Sequence, residues 1–293
     1  MRIFIVLLCF ACGAAAAEVS AVDSFGRRVS LPAPASRIAS LAPHATEQVF
    51  AAGAGAKIVA VSEYSDYPPE AKQLPRASSS AAVDIEKLLA LKPDLVVAWR
   101  VEATAASLER LESLGLTVFY SEPRRLAEIP DIIEAIGQLA GTSAIAAPVA
   151  RTLRVDLTRL EQTYRARRPV PVFYQISEAP LMTLGGQHFV SDAITLCGGR
   201  NVFADIAVMA PIVNIEAVMA ADPEAIIAGR PDPADTAWHA FWRRFPGLRA
   251  VRAGNLFAVP VNEMHRHGPR ALAATSLLCR HIDKARLKAA SPR

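Results

Sequence analysis

The segment Asp84-Ile85-Glu86-Lys87-Leu88-Leu89-Ala90-Leu91-Lys92-Pro93-Asp94-Leu95-Val96-Val97-Ala98-Trp99-Arg100 has a counterpart in Asn214-Ile215-Glu216-Ala217-Val218-Met219-Ala220-Ala221-Asp222-Pro223-Glu224-Ala225-Ile226-Ile227-Ala228-Gly229-Arg230, at a constant offset of 130 residues. Each copy opens on Asp or Asn, whose side chains cap helix N-termini. Each then runs for about two turns, stops before Pro and an acidic residue, and continues as a buried strand. The flanks agree. Residues 46–53 and 191–198 read as capped helices ending in glycine, and residues 116–120 and 255–260 as apolar strands that follow one. Helices alternating with short buried strands make βα units. The expected class is α/β, with two similar lobes of mostly parallel sheet.

A long helical pattern lies between the copies. Val149, Leu153, Leu157, Leu160 and Tyr164 form one apolar stripe. Thr142 or Ser143 can cap its start, Arg165, Arg167 and Arg168 suit the dipole at its end, and Pro169 stops it. The chain therefore divides into an N-terminal lobe over 18–141, a connecting helix over 142–168 and a C-terminal lobe over 169–293. A rod of some 25 helical residues spans about 38 Å and limits how far two lobes can close.

Composition excludes the simplest alternatives. The chain has 293 residues, 52% hydrophobic and 20% charged, which is a packed protein and not a disordered one. The balance of 32 basic against 28 acidic residues leaves only +4, and the basic residues are scattered, so nucleic acid is not an expected partner. Residues 1–17 read as a secretory signal peptide. Arg2 precedes the apolar run from Ile3 to Ala11, and Ala15-Ala16-Ala17 offers a cleavage site; lipidation at Cys12 is the variant reading. Cleavage after Ala17 leaves two cysteines, Cys197 and Cys279, in an oxidising compartment. An even pair there points to a disulfide, with two buried thiols as the alternative.

Several blocks resemble a known family. Arg37-Ile38-Ala39-Ser40-Leu41-Ala42-Pro43, Thr46-Glu47, Ser65-Asp66-Tyr67-Pro68-Pro69 and residues 91–100 resemble the periplasmic cobalamin-binding members of the helical-backbone class of ABC-importer substrate-binding proteins, which also serves haem, siderophores and metal ions. Leu196-Cys197-Gly198-Gly199-Arg200-Asn201-Val202-Phe203 and Pro269-Arg270 continue the resemblance, which covers essentially the whole mature chain. It implies a monomer that binds a corrinoid in a cleft between the lobes and delivers it to an inner-membrane ABC permease and its ATPase.

The resemblance also implies roles for particular residues. Glu86 and Glu216 would dock on arginines of a permease dimer, although acidic residues favour a helix N-terminus in any case. Pro43, Tyr64 and Trp99 would line the cleft, since aromatic faces bury a broad apolar disc. Asn262 and Arg266, in the loop after the last strand, would supply polar contacts. Where further aromatic residues are expected, the chain carries Ser80, Met182 and Ala210; Met182 can still pack on a disc.

His44, His188, His265 and His267 are either solvated loop residues or imidazoles that ligate cobalt, haem iron or a bare metal ion. Haem or a ferric siderophore is the alternative ligand. An exported metal-dependent enzyme using Glu263, His265 and His267 is the alternative class. No HExxH, GxSxG or Walker loop is present, and Gly53-Ala54-Gly55 lacks the strand-to-helix setting of a dinucleotide loop. No catalytic residue, cofactor or resident metal is expected. Trp238, Phe241, Trp242 and Phe245 read as a buried helix face.

Overall fold

A computed structural model describes residues 18–290. The expected signal peptide and Cys12 lie outside the described residues. The hairpin β1 (Val19–Val22) and β2 (Arg28–Leu31) precedes the first sheet, and its turn docks through Phe25 on Tyr120.

The N-terminal lobe runs β3 (Ile38–Ser40), α1 (Pro43–Ala51), β4 (Ile58–Ser62), β5 (Arg76–Ser78), α2 (Ile85–Leu91), β6 (Leu95–Ala98), α3 (Glu102–Ser113), β7 (Val118–Tyr120) and α4 (Glu128–Leu139). After α5 (Ser143–Tyr164) come β8 (Val170–Gln175), the small hairpin β9 (Ser177–Glu178) and β10 (Leu181–Met182), α6 (Phe189–Leu196) and β11 (Gly199–Asn201). The C-terminal lobe closes with α7 (Ile215–Ala221), β12 (Ala225–Arg230), α8 (His239–Arg243), α9 (Arg249–Arg252), β13 (Leu256–Pro260), α10 (Val261–Met264) and α11 (Ala271–Ala290). All strand pairs of the two larger sheets are parallel, in the orders β5-β4-β3-β6-β7 and β11-β8-β12-β13.

The repeat is visible in three dimensions. Asp84 accepts a bond from the Lys87 N–H and Asn214 from the Ala217 N–H, so both expected Asx caps are in place. Both helices then end in a way the sequence did not announce: Lys92 (φ 46°) and Asp222 (φ 39°) adopt the left-handed conformation directly before a proline. The position usually taken by glycine is occupied by a long and an acidic side chain. Gly53 and Gly198 do occupy left-handed sites after α1 and α6.

The expected caps of those two helices differ. Pro43 opens α1, and Thr46 lies a turn inside it, its hydroxyl bonded to Ser40, Ser65 and the Ala42 carbonyl. His188 and not Ser191 caps α6, its Nδ1 accepting from the Val190 N–H, while Ser191 donates to the Gly185 carbonyl. The helix expected over 142–168 is Ser143–Tyr164, and the Thr142 hydroxyl makes no cap bond.

Helix α5 packs on α4 and α1 in one lobe and on α6 and α11 in the other. Gly137 lets α4 and α5 approach closely, since a Cβ there would stand 2.3 Å from the Ala146 methyl. Around this helix one continuous core runs from Ile38, Leu95 and Ile133 through Ala146 and Leu157 to Val170, Phe189, Val259 and Leu278. Each sheet buries its other face separately, under Leu88 and Leu108 in one lobe and under Val218, Trp238 and Trp242 in the other. Cys197 and Cys279 form a disulfide that ties the end of α6 to α11.

Because the inner core is shared, unfolding should be a single cooperative transition. Urea transitions followed through Trp99 alone (Trp238→Phe/Trp242→Phe) and through Trp238 and Trp242 (Trp99→Phe) should have the same midpoint relative to far-UV circular dichroism of the same variant. A midpoint for either probe that departs from the dichroism signal would show the lobes unfolding separately.

Candidate ligand cleft between the lobes

In a parallel sheet, ligands meet the loops at the carboxyl ends of the strands. Here those loops from both sheets face one another. Residues after β3, β4 and β6 meet residues after β13 and those leading into α6.

The loop after β4 is built from buried hydroxyls. Ser65 bonds Thr46 and Ser62 at 2.8 Å each, and Arg76 donates to the Ser62 and Ser65 carbonyls. Pinned there, the loop presents Tyr64 (60% exposed) and Tyr67 (42% exposed) outward.

The base of the cleft is a seam of charges. Glu47 on α1 is only 2% exposed. Arg270 donates to both of its oxygens, at 2.6 and 3.0 Å, and to Glu263 at 3.1 Å, while its guanidinium lies 3.9 Å above the Tyr67 ring. Arg266 reaches Glu47, Asp66 and the Tyr64 carbonyl. The Arg266 bond holds the Asp66 carboxyl below its usual range. Gly268 leaves room for this arrangement, since a Cβ there would fall 2.9 Å from a Glu47 oxygen. Gln48 completes the seam by donating to the His267 carbonyl (2.8 Å) and accepting from Ser121 (2.6 Å).

Beside the charges lies a cluster of rings. His267 stands 5.3 Å from His44, 5.6 Å from Trp99, 5.6 Å from His188 and 4.3 Å from Phe189, centroid to centroid. His44 and Trp99 belong to one lobe, His267, His188 and Phe189 to the other. The His44 Nε2 lies 3.0 Å from the Ser121 carbonyl, and the His265 Nε2 lies 3.0 Å from the Tyr174 hydroxyl. Burial drives these imidazoles towards the neutral form: His44 and His265 fall to about 4, His188 to about 3, and His267 well below the ordinary value.

The sequence-predicted residues thus divide. His44 and Trp99 meet in the ring cluster, and Pro43, half-buried, begins the same helix as His44. Tyr64 is on the rim. Met182 is half-buried on β10, paired with Ile212. Asn262 is exposed on α10, where a loop was expected. Arg266 spends its donors on the opposite lobe. Glu47, Gln48, Asp66 and Arg270 were not singled out, although a glutamate among the apolar residues of a buried helix is a readable signal. Glu263 is paired with Arg270 and His265 with Tyr174, and among the described residues no group of three or more His, Cys, Asp or Glu could hold a metal ion.

A separate recess of about 570 Å³ opens between Arg124, Arg125 and Glu128 of one lobe and Asp192, Arg200 and Asn201 of the other. Arg125 and Arg124 are already paired there with Glu128 and Glu122, and none of the aromatic residues reaches it.

Glu86 and Glu216 are exposed in the first turns of α2 and α7. A crossover helix runs antiparallel to the strands it joins, so both helix N-termini lie at the carboxyl edges of their sheets.

Two α/β lobes on a single rod, with a cleft between strand ends, agree with the family comparison. Residues 38–261 match the family described as periplasmic binding protein. The chain belongs to that family. The vitamin B12-binding protein of Vibrio cholerae is 40% identical over 257 residues, 86% of this chain and 90% of that protein. The crystal structure of the periplasmic vitamin B12 binding protein BtuF of Vibrio cholerae superposes with a TM-score of 0.80, covering 86% of this chain and 98% of that one at 40% identity. A periplasmic heme binding protein of Pseudomonas aeruginosa has a TM-score of 0.71 at 24% identity, over 85% and 92% of the two chains, and shares the fold. These relatives are binding proteins and not enzymes.

Removing one partner of a buried ion pair strands the other, at a cost of about 3–5 kcal/mol. Arg270→Ala should therefore destabilise by about 3 kcal/mol. The double variant Arg270→Ala/Glu47→Gln should recover part of that loss, measured by urea denaturation. A double variant less stable than Arg270→Ala would contradict a charge origin.

The histidines set the acid limb. Their folded pKa values lie below the unfolded value near 6.5, so the unfolded chain binds more protons between the two. Stability should be full above about pH 6.5 and fall as pH drops towards 4, where Asp66 begins to add to the loss. Urea midpoints from pH 7 to 4.5 would show the slope, and His188→Asn, which keeps a capping acceptor, should make it shallower. A flat profile over that range would refute the assignment.

Proposed function

We propose that this chain is a periplasmic substrate-binding protein that captures a corrinoid in the interlobe cleft and delivers it, as a monomer, to an inner-membrane ABC permease and its ATPase. Residues 1–17 act as the export signal. The observation that carries the reading is the 40% identity to a vitamin B12-binding protein, which runs through both lobes. The site supports it. Tyr64, Tyr67 and Trp99 offer aromatic faces on one side, and Met182 with the exposed Val208, Met209 and Ile212 offers flexible apolar surface on the other. A broad disc with an apolar rim buries against such walls with few hydrogen bonds. Pro43, His44, Asn262 and Arg266 line or support that cleft, and cobalamin is cargo, not a cofactor.

Glu86 and Glu216 are the docking carboxylates. They occupy equivalent places on the two lobes and neither has an ion-pair or hydrogen-bond partner among the described residues. A cationic site on the permease would complete each one.

Dialysis against aquocobalamin, cyanocobalamin and haemin, read by visible absorption, tests the ligand. Aquocobalamin should be retained, with about fivefold or greater weakening in Trp99→Ala and Tyr64→Ala. Retention of haemin alone would favour the haem reading, and unchanged affinity in both variants would move the site. Glu86→Lys/Glu216→Lys should abolish uptake while leaving corrinoid affinity within about a factor of two, because neither carboxylate bonds to a residue that lines the cleft and only electrostatic complementarity to the permease is inverted.

A further inference from the structure

Beside each docking glutamate stands an exposed apolar side chain, and these repeat with the same offset. Leu89, three residues beyond Glu86, is 39% exposed, and Met219, three beyond Glu216, is 49% exposed. Residues at i and i+3 share a helix face, so each helix shows a carboxylate and a large apolar group together. The pattern of exposure is the same in both copies: Glu86 and Glu216 outward, Leu88 and Val218 buried, Leu89 with Ala90 and Met219 with Ala220 outward. Ala82 and Ile212, also exposed, stand at matching places just ahead of the helices.

A single exposed apolar residue is ordinary. Two at equivalent positions are less so, because the copies have diverged freely around them, with Lys87 against Ala217 and Lys92 against Asp222. Folding does not need either side chain, since Leu88 and Val218 make the core contact. Both helices are also fixed at both ends. Asp84 and Asn214 cap the starts, while Arg37 donates to the Leu91 carbonyl (2.6 and 3.0 Å) and Arg249 to the Asp222 carbonyl (3.1 Å). Groups held this firmly lose little freedom on binding.

We infer that Leu89 and Met219 are the apolar anchors of the docking surface, each entering an apolar recess beside a cationic residue on a partner that carries two equivalent sockets. The repeated acid-plus-apolar pair matches a membrane permease built as a symmetric dimer. The inference rests on the reading of Glu86 and Glu216 as docking residues and divides the work between the two kinds of side chain. The carboxylates govern the association rate and its salt dependence, and the anchors govern how long the complex lasts.

The test uses the mature protein, ligand-free and loaded with aquocobalamin, against the purified permease–ATPase complex in nanodiscs, with both rate constants measured at several salt concentrations. Leu89→Ser/Met219→Ser should speed dissociation about tenfold to a hundredfold and leave the association rate and its salt slope unchanged. Glu86→Gln/Glu216→Gln should slow association and flatten the salt slope. Thermal midpoint and aquocobalamin affinity should match wild type in both. Dissociation within twofold of wild type for the serine variant, while the glutamine variant still loses its salt slope, would overturn the anchors and spare the glutamates. A glutamine variant that associates like wild type would overturn the docking reading itself. A free protein that sediments as a dimer and becomes monomeric in the serine variant would assign the anchors to self-association, against the inference.

Discussion

A buried carboxylate whose counter-charges come from the other half of the molecule fixes the relation between the lobes. Glu47 is nearly inaccessible, and the arginines that neutralise it lie more than 200 residues along the chain. Neither lobe in isolation could bury this group without the cost of an unpaired charge in a poorly polarisable surrounding. The cleft base is therefore defined by electrostatics, and the rings of His44, Trp99 and His267 pack in the space that the charges leave.

The shared core around α5 acts in the same sense. Two-lobed proteins joined by flexible strands close by rotating about those strands; here the apolar residues that would have to part at a hinge are packed in one continuous cluster. Separation by a large angle would expose Leu157 and its neighbours at roughly 25 cal/mol per Å². Small tilts that keep the rod packed are the accessible motions.

Much of this was legible in the sequence because it depends on local pattern. The Asx caps at Asp84 and Asn214, the apolar stripe of α5 and the strands after each Pro-acid pair follow from periodicity and from side chains that bond their own backbone. The misses have a common cause. Thr46 has the right chemistry for a cap, yet Pro43 starts the helix earlier and buried Ser40 and Ser65 recruit the hydroxyl. Ser191 loses the cap to His188 for a similar reason. The bonds from Arg266 to Asp66 and Glu47 join distant segments, a juxtaposition that no spacing reveals. The left-handed Lys92 and Asp222 were hidden because only glycine advertises that conformation.

Those abrupt helix ends have a mechanical consequence. With only three residues between α2 and β6, and three between α7 and β12, each of these helices is the exposed foot of a strand that leads straight to the cleft, at Trp99 in one lobe and Gly229 in the other. Both strands are hydrogen-bonded to a neighbour on each side, so neither can slide alone. A pull applied at a foot is carried by the whole sheet. Force applied at either helix thus reaches the cleft as displacement of an entire lobe, set against the stiffness of α5, and the cleft residues of that lobe keep their relative places.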